Sequence, residues 1–315
     1  MASPASFVRV SPADRPAFTV AYERHGSGEP VVLLHGIGHH RQAWEPVTGI
    51  LAASHDVIAL DLPGFGESPA LPDGLPHDQA TVVPMLAAFF AELGVERPHV
   101  VGNSLGGLLA LELGRRGQAR SVTAFSPAGF WTEPERRYAF AVLAGMRAGA
   151  RVLPQPVVEQ MARSAVGRAA LTGTIYARPG RRSPRAVAAE TRALREASGF
   201  EATLAAGRAG NEVYDADVPG VPVTIAWGTR DRLLPPRQGV RAKHAIPGAR
   251  LVRLPGCGHV PMNDDPALVA RVILDTVGRP ADPAPSAAPS APAVPGARSA
   301  DRAEDRAEDR QPDPA

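Results

Sequence analysis

Three side chains able to form an activated nucleophile stand far apart in this chain: Ser104, Asp231 and His259. Ser104 lies in Gly102-Asn103-Ser104-Leu105-Gly106, after the apolar run ending His99-Val100-Val101 and before the helix-like Leu105–Arg116. Gly-x-Ser-x-Gly between a strand and a helix is the nucleophile-elbow pattern, in which a sharp turn holds the serine hydroxyl exposed above a sheet. The glycines allow strand and helix to approach where a β-carbon would clash. The reaction class this implies is acyl transfer through a covalent serine intermediate.

A serine needs a base, and the base needs an orienting acid. Gly256-Cys257-Gly258-His259 follows the last apolar run, Leu251–Leu254, and offers His259 in a glycine-flanked loop. Gly228-Thr229-Arg230-Asp231 follows Val223–Ala226 and offers Asp231 just past a strand's carboxyl end, where open α/β sheets bind ligands. Asp215 and Asp217 precede that same strand, at the wrong end. Developing negative charge needs two backbone N–H groups. The residue after the nucleophile, Leu105, supplies one, and the loop His35-Gly36-Ile37-Gly38 supplies the other, assigned to Ile37. Cys257, the sole cysteine, has no second base and is read as structural. No metal or organic cofactor is required by this chemistry.

The elements that must position these groups are legible as alternation. Short apolar runs at 31–34, 57–60, 100–101, 122–125, 223–226 and 251–254 suit strands buried on both faces. Helical patterns at 42–53, 79–93, 105–116, 236–244 and 266–277 lie between them. Strands alternating with helices imply a mostly parallel sheet with helices on both faces, and 7–10 and 18–23 would add an antiparallel edge. Between about 129 and 213 the alternation stops and the sequence is helical in character, with helices expected over 138–151, 157–166 and 186–197. The expected organisation is a core of 1–128 and 214–278, a helical insertion of 129–213, and a tail from 279 to 315.

The tail is Pro/Ala/Ser-rich and then repeats Asp-Arg-Ala-Glu, with almost nothing apolar to offset the entropy of ordering, so disorder is expected there. Formal net charge is +2, and Lys243 is the only lysine among many arginines. Mild basicity without a basic helix or aromatic-interleaved patch argues against nucleic-acid binding. The first eleven residues lack a charged start and an apolar segment, so no secretory signal is expected. No apolar stretch is long enough for a membrane span, and a cytoplasmic protein acting on a small molecule is the default expectation.

Together, Val31-Val32-Leu33-Leu34-His35-Gly36, Asp61-Leu62-Pro63-Gly64-Phe65-Gly66-Glu67-Ser68, the elbow, Trp227-Gly228-Thr229-Arg230-Asp231 and Gly258-His259-Val260-Pro261 resemble the α/β-hydrolase superfamily over about residues 5–278. The order Ser104, Asp231, His259 is the one expected of that superfamily. The resemblance implies that the insertion is a cap shaping substrate choice. Phe130, Trp131 and Tyr138 at its start, with Gly36, Asn103 and Val260 beside the reacting groups, are candidate substrate-binding residues. His35 and Asp61 are read as loop-organising residues, and His39 and His40 as exposed or on a pocket rim. The expected activity is hydrolysis of an ester-like bond in a small or medium, largely apolar molecule. Epoxide hydrolases and haloalkane dehalogenases share the scaffold but use an aspartate where Ser104 stands. Hydrolases of carbon–carbon bonds in ring-cleavage products are the alternative. They commonly carry tryptophan at the position of Val260 and an asparagine in the oxyanion loop, which His35–Ala43 lacks. A non-catalytic binding protein on the same scaffold is the reading from another class.

Overall fold

A computed structural model describes residues 5–12, 15–72, 74–209 and 214–280. Eight strands form one sheet: β1 (Ser6–Val10), β2 (Phe18–His25), β3 (Glu29–Leu34), β4 (His55–Leu60), β5 (His99–Asn103), β6 (Ser121–Phe125), β7 (Val223–Gly228) and β8 (Arg250–Leu254). Their spatial order is β1-β2-β4-β3-β5-β6-β7-β8. β1 and β2 join antiparallel, and every pair from β4 to β8 is parallel. The antiparallel edge and the parallel body are both those expected from the apolar runs.

Central strands β5, β6 and β7 are buried at every position. That is why they read as continuous apolar runs rather than alternating ones: helices cover both faces. The covering helices are α1 (Glu45–Leu51), α2 (Gln79–Glu92), α3 (Leu105–Arg115), α9 (Arg237–Ala245) and α10 (Pro266–Val277). α2 and α10 begin where sequence chemistry says they should. Asp78 accepts from the Thr81 N–H at 2.8 Å and Asp265 from the Leu268 N–H at 3.0 Å, each satisfying a donor the first helical turn leaves open.

Five helices occupy the chain between β6 and β7: α4 (Glu133–Val152), α5 (Gln155–Arg163), α6 (Ala165–Thr172), α7 (Pro184–Glu196) and α8 (Phe200–Ala209). The helix expected over 157–166 is two helices. Ser164 ends α5 and its hydroxyl accepts from the Gly167 N–H at 2.9 Å to start α6. The serine supplies a local acceptor that competes with helix continuation. α8 carries only a few apolar residues between alanines and gave no periodic signal. Residues 210–213 and 281–315 lie outside the described residues, and with them nearly all of the expected tail. No helix among the described residues is long and apolar enough to cross a membrane.

Candidate active site

Ser104 stands between the end of β5 and the start of α3 with φ 56° and ψ −116°. A non-glycine residue holds such a conformation only when its surroundings over-determine it. Here they do. A β-carbon on Gly102 would lie 2.0 Å from the Gly106 carbonyl oxygen, and one on Gly106 would lie 2.2 Å from the Leu34 carbonyl oxygen. Strand, turn and helix are therefore in backbone contact, and only glycine at both positions permits it.

His259 and Asp231 come from the loops after β8 and β7. The Nδ1–H of His259 donates to Asp231 Oδ2 at 2.9 Å, and the Asp231 side chain is fully buried. The other oxygen, Oδ1, accepts from the Leu233 and Leu234 N–H groups at 3.0 and 2.8 Å. These bonds fix the carboxylate, the carboxylate fixes the imidazole tautomer, and Nε2 is left with its lone pair. Among the described residues no hydrogen bond joins the Ser104 hydroxyl to His259; both line one small cavity. Such bonds often tighten only once substrate is bound.

The N–H of Leu105, first in α3, has no intrahelical acceptor, and that of Ile37 meets no protein acceptor among the described residues. Both residues line the space at Ser104. Two compartments meet there, sharing Ile37, Ser104, Leu143 and Leu233. The smaller, about 50 Å³, also takes in Gly36, His39, Asn103, Glu190, His259 and Val260. The larger, about 710 Å³, takes in Leu105, Leu108, Leu109, Trp131, Phe140 and Leu204.

The model of the alpha/beta hydrolase family matches residues 31–272. The chain belongs to the α/β hydrolase family. It is 30% identical over 270 residues to an uncharacterized protein of Mycobacterium tuberculosis, covering 80% of this chain and 75% of that one. It is 35% identical over 188 residues to a Mycobacterium tuberculosis protein named as an epoxide hydrolase, covering 58% of this chain and 86% of that one. A thermophilic esterase from Thermogutta terrifontis shares the fold at TM-score 0.69 and 23% identity, over 87% of this chain and 98% of that one.

In this α/β hydrolase, four of the six candidate substrate-binding residues line the compartments: Gly36, Asn103 and Val260 the small one, Trp131 the large one. Phe130 and Tyr138 line neither. Phe130 is fully buried against Tyr214, ring centroids 5.3 Å apart, and is core. Tyr138 is 48% exposed and its hydroxyl donates to the Arg232 carbonyl at 3.0 Å, away from the cavity. The helical period of α4 turns position 138 outward, a phase the start of an unbounded helix does not reveal. Asn103 does more than line the wall. Its Nδ2 donates to the carbonyls of Phe125 at 3.1 Å and His259 at 2.9 Å, tying the elbow to the histidine loop.

His35 accepts the Leu62 N–H on Nε2 at 3.0 Å and donates from Nδ1 to the Gly36 carbonyl at 2.8 Å. Burial, the leading cause, pushes its pKa down to about 4, so it stays a neutral strut. Asp61 accepts from the N–H groups of Arg41 at 2.6 Å and Glu67 at 2.9 Å, as a turn organiser would. Cys257 is fully buried, and burial raises its thiol to about 12, which removes the thiolate a nucleophile needs.

Two residues, Arg41 and Asp264, carry no sequence signal, and a third, His39, carries an ambiguous one. Arg41 is buried and pairs with Glu23, Asp61 and Glu67 just after the His35–Gly38 loop. Asp264 clamps the histidine loop through the Gly258 N–H. His39, for which the sequence leaves an exposed loop or a pocket rim open, is buried and lines the small compartment. There Tyr176 donates to Glu190 at 2.9 Å and lies 3.3 Å from His39 Nε2, while Arg182 pairs with Glu190 and stacks 3.9 Å over the Tyr176 ring. Burial opposes ionisation of Glu190, but the paired Arg182 guanidinium outweighs it and holds the carboxyl below its usual range. All four are separated in sequence, so only the fold assembles them.

Proposed function

We propose that this α/β hydrolase is a serine esterase working through an acyl-enzyme. Ser104 Oγ attacks the ester carbonyl while His259 Nε2 takes its proton. Asp231 steadies the imidazolium, and the N–H groups of Ile37 and Leu105 receive the oxyanion. The C–O bond to the alcohol then breaks, and the proton on His259 goes to the departing oxygen. Water, deprotonated by His259, attacks the acyl-enzyme; the serine recovers its proton and the acid leaves. The helices α4 to α8 serve as the cap, and residues 129–213 are its bounds.

One observation carries this reading: Ser104, in its strained turn, shares a cavity wall with a histidine whose other nitrogen is held by a buried carboxylate. The similarity to a protein named as an epoxide hydrolase does not displace it, because a carboxylate is the nucleophile expected there and Ser104 occupies that position. Intact-mass analysis after fluorophosphonate treatment tests the reading. One adduct on the wild type and none on Ser104→Ala is expected. An unlabelled wild type would overturn the nucleophile assignment and move the non-catalytic reading ahead.

A further inference from the structure

The two compartments that meet at Ser104 differ in a way that assigns the two halves of an ester. Resting on the esterase reading above, we infer that the acyl chain occupies the large compartment and a small alcohol leaves through the small one, making this an esterase for short-alcohol esters of long apolar acids.

The argument starts from where the proton must go. When the tetrahedral intermediate collapses, the C–O bond to the alcohol breaks and that oxygen takes the proton held on His259 Nε2. The leaving oxygen must therefore lie on the side of Ser104 that His259 faces. His259 and its neighbour Val260 line the small compartment and not the large one. The acyl carbon chain, attached to the same carbonyl carbon, points the other way.

Size agrees with this division. The small compartment holds about 50 Å³, room for a short alcohol, and is lined by Ile175, Thr172 and the buried Glu190. The large one encloses about 710 Å³. Its floor is one face of α3, at Leu105, Leu108, Leu109, Glu112, Arg115 and Arg116. Those positions recur at helical spacing, so the compartment follows the helix for its full length, about 16 Å at 1.5 Å per residue. It starts apolar at Ser104 and ends at exposed Arg115 and Arg116. A methylene chain laid along it buries apolar surface step by step, gaining about fourfold in affinity per buried CH₂.

The test uses two constitutional isomers, methyl octanoate and heptyl acetate. They have the same atoms, the same ester bond and the same apolar surface; only the side bearing the long chain differs. Wild-type kcat/KM should favour methyl octanoate about tenfold or more. A ratio near one, or a preference for heptyl acetate, overturns the inference. Ala206→Trp, placed on half-buried α8 in the large compartment wall, should lower the preference for methyl octanoate over methyl butyrate at least tenfold; an unchanged preference also overturns it. Both are ratios taken on one preparation, so a misfolded fraction cancels. Fluorophosphonate labelling keeps the two readings apart. A labelled Ser104 with neither isomer cleaved refutes the inference and leaves the nucleophile standing. No label and no cleavage refutes both.

Discussion

The carboxylate of Asp264 accepts the backbone N–H of Gly258, the residue before His259, at 2.8 Å. The same Oδ2 accepts from the Ala177 N–H at 3.0 Å, and Oδ1 accepts from the Arg178 N–H at 2.8 Å. One buried side chain therefore holds the histidine loop and the segment between α6 and α7 together. The Val260 N–H, donating to the Ile175 carbonyl at 3.1 Å, adds a second tie between the same two segments. Asp264→Ala would strand the buried Gly258 donor, at a cost of about 1–3 kcal/mol, and leave the half-buried Ala177 and Arg178 donors to water. The expected outcome is a lower melting temperature together with slower fluorophosphonate labelling of the protein that stays folded. Normal labelling by the folded fraction would show that Asp264 holds the fold and not His259.

Asp231 makes a sharper test of the triad because its two oxygens have separate partners. In Asp231→Asn the amide oxygen can still accept from Leu233 and Leu234, so the fold should survive. The amide nitrogen then faces His259 Nδ1 as a donor. That forces the proton onto Nε2, where a base is needed, and turnover should fall by about 10³–10⁴-fold. Steady-state ester hydrolysis alongside a thermal melt checks it. Unchanged turnover with an unchanged melt would remove Asp231 from the mechanism.

Much of this geometry was legible in the sequence, and the reason is local. The strands around Ser104, the elbow glycines and the loop positions of Asp231 and His259 each depend on a few neighbouring residues. The clash a β-carbon would make at Gly102 is with Gly106, four positions on, whereas the one at Gly106 is with the Leu34 carbonyl of β3 and is settled by the fold. What the sequence hid depends on distant pairing. Asp264 reads only as a residue before a helix cap, and its three partners lie at 177, 178 and 258. The polar cluster of His39, Tyr176, Glu190 and Arg182 joins the loop after β3 to segments well over a hundred residues away. Tyr138 illustrates a third limit: residue type suggested a pocket wall, and helix phase decided otherwise.

Cys257 lies two residues before His259, so its chemistry is worth separating from the active site. Burial raises the thiol to about 12. At pH 8 the folded protein should leave a disulfide reagent such as Ellman's unreacted over the time of an assay, and one thiol should appear after unfolding in guanidinium. Rapid reaction of the native protein would mean that the loop of Cys257 and His259 opens readily.

His35 links this site to stability through pH. Its folded pKa of about 4 lies below the ordinary 6.5 of an unfolded chain. Below pH 6.5 the unfolded chain takes up a proton that the folded protein refuses, so stability is full above that pH and falls as pH drops toward 4. The slope approaches about 1.4 kcal/mol per pH unit for this one group. Urea unfolding at steps from pH 7.5 to 4.5 should show the loss. His35→Gln, which carries an amide donor and acceptor but no titrating group, should be less stable at pH 7.5 and lose stability more gently on acidification. An equal slope in both proteins would mean that His35 protonates in the folded state as readily as in the unfolded chain, and that this strut after β3 is open to water.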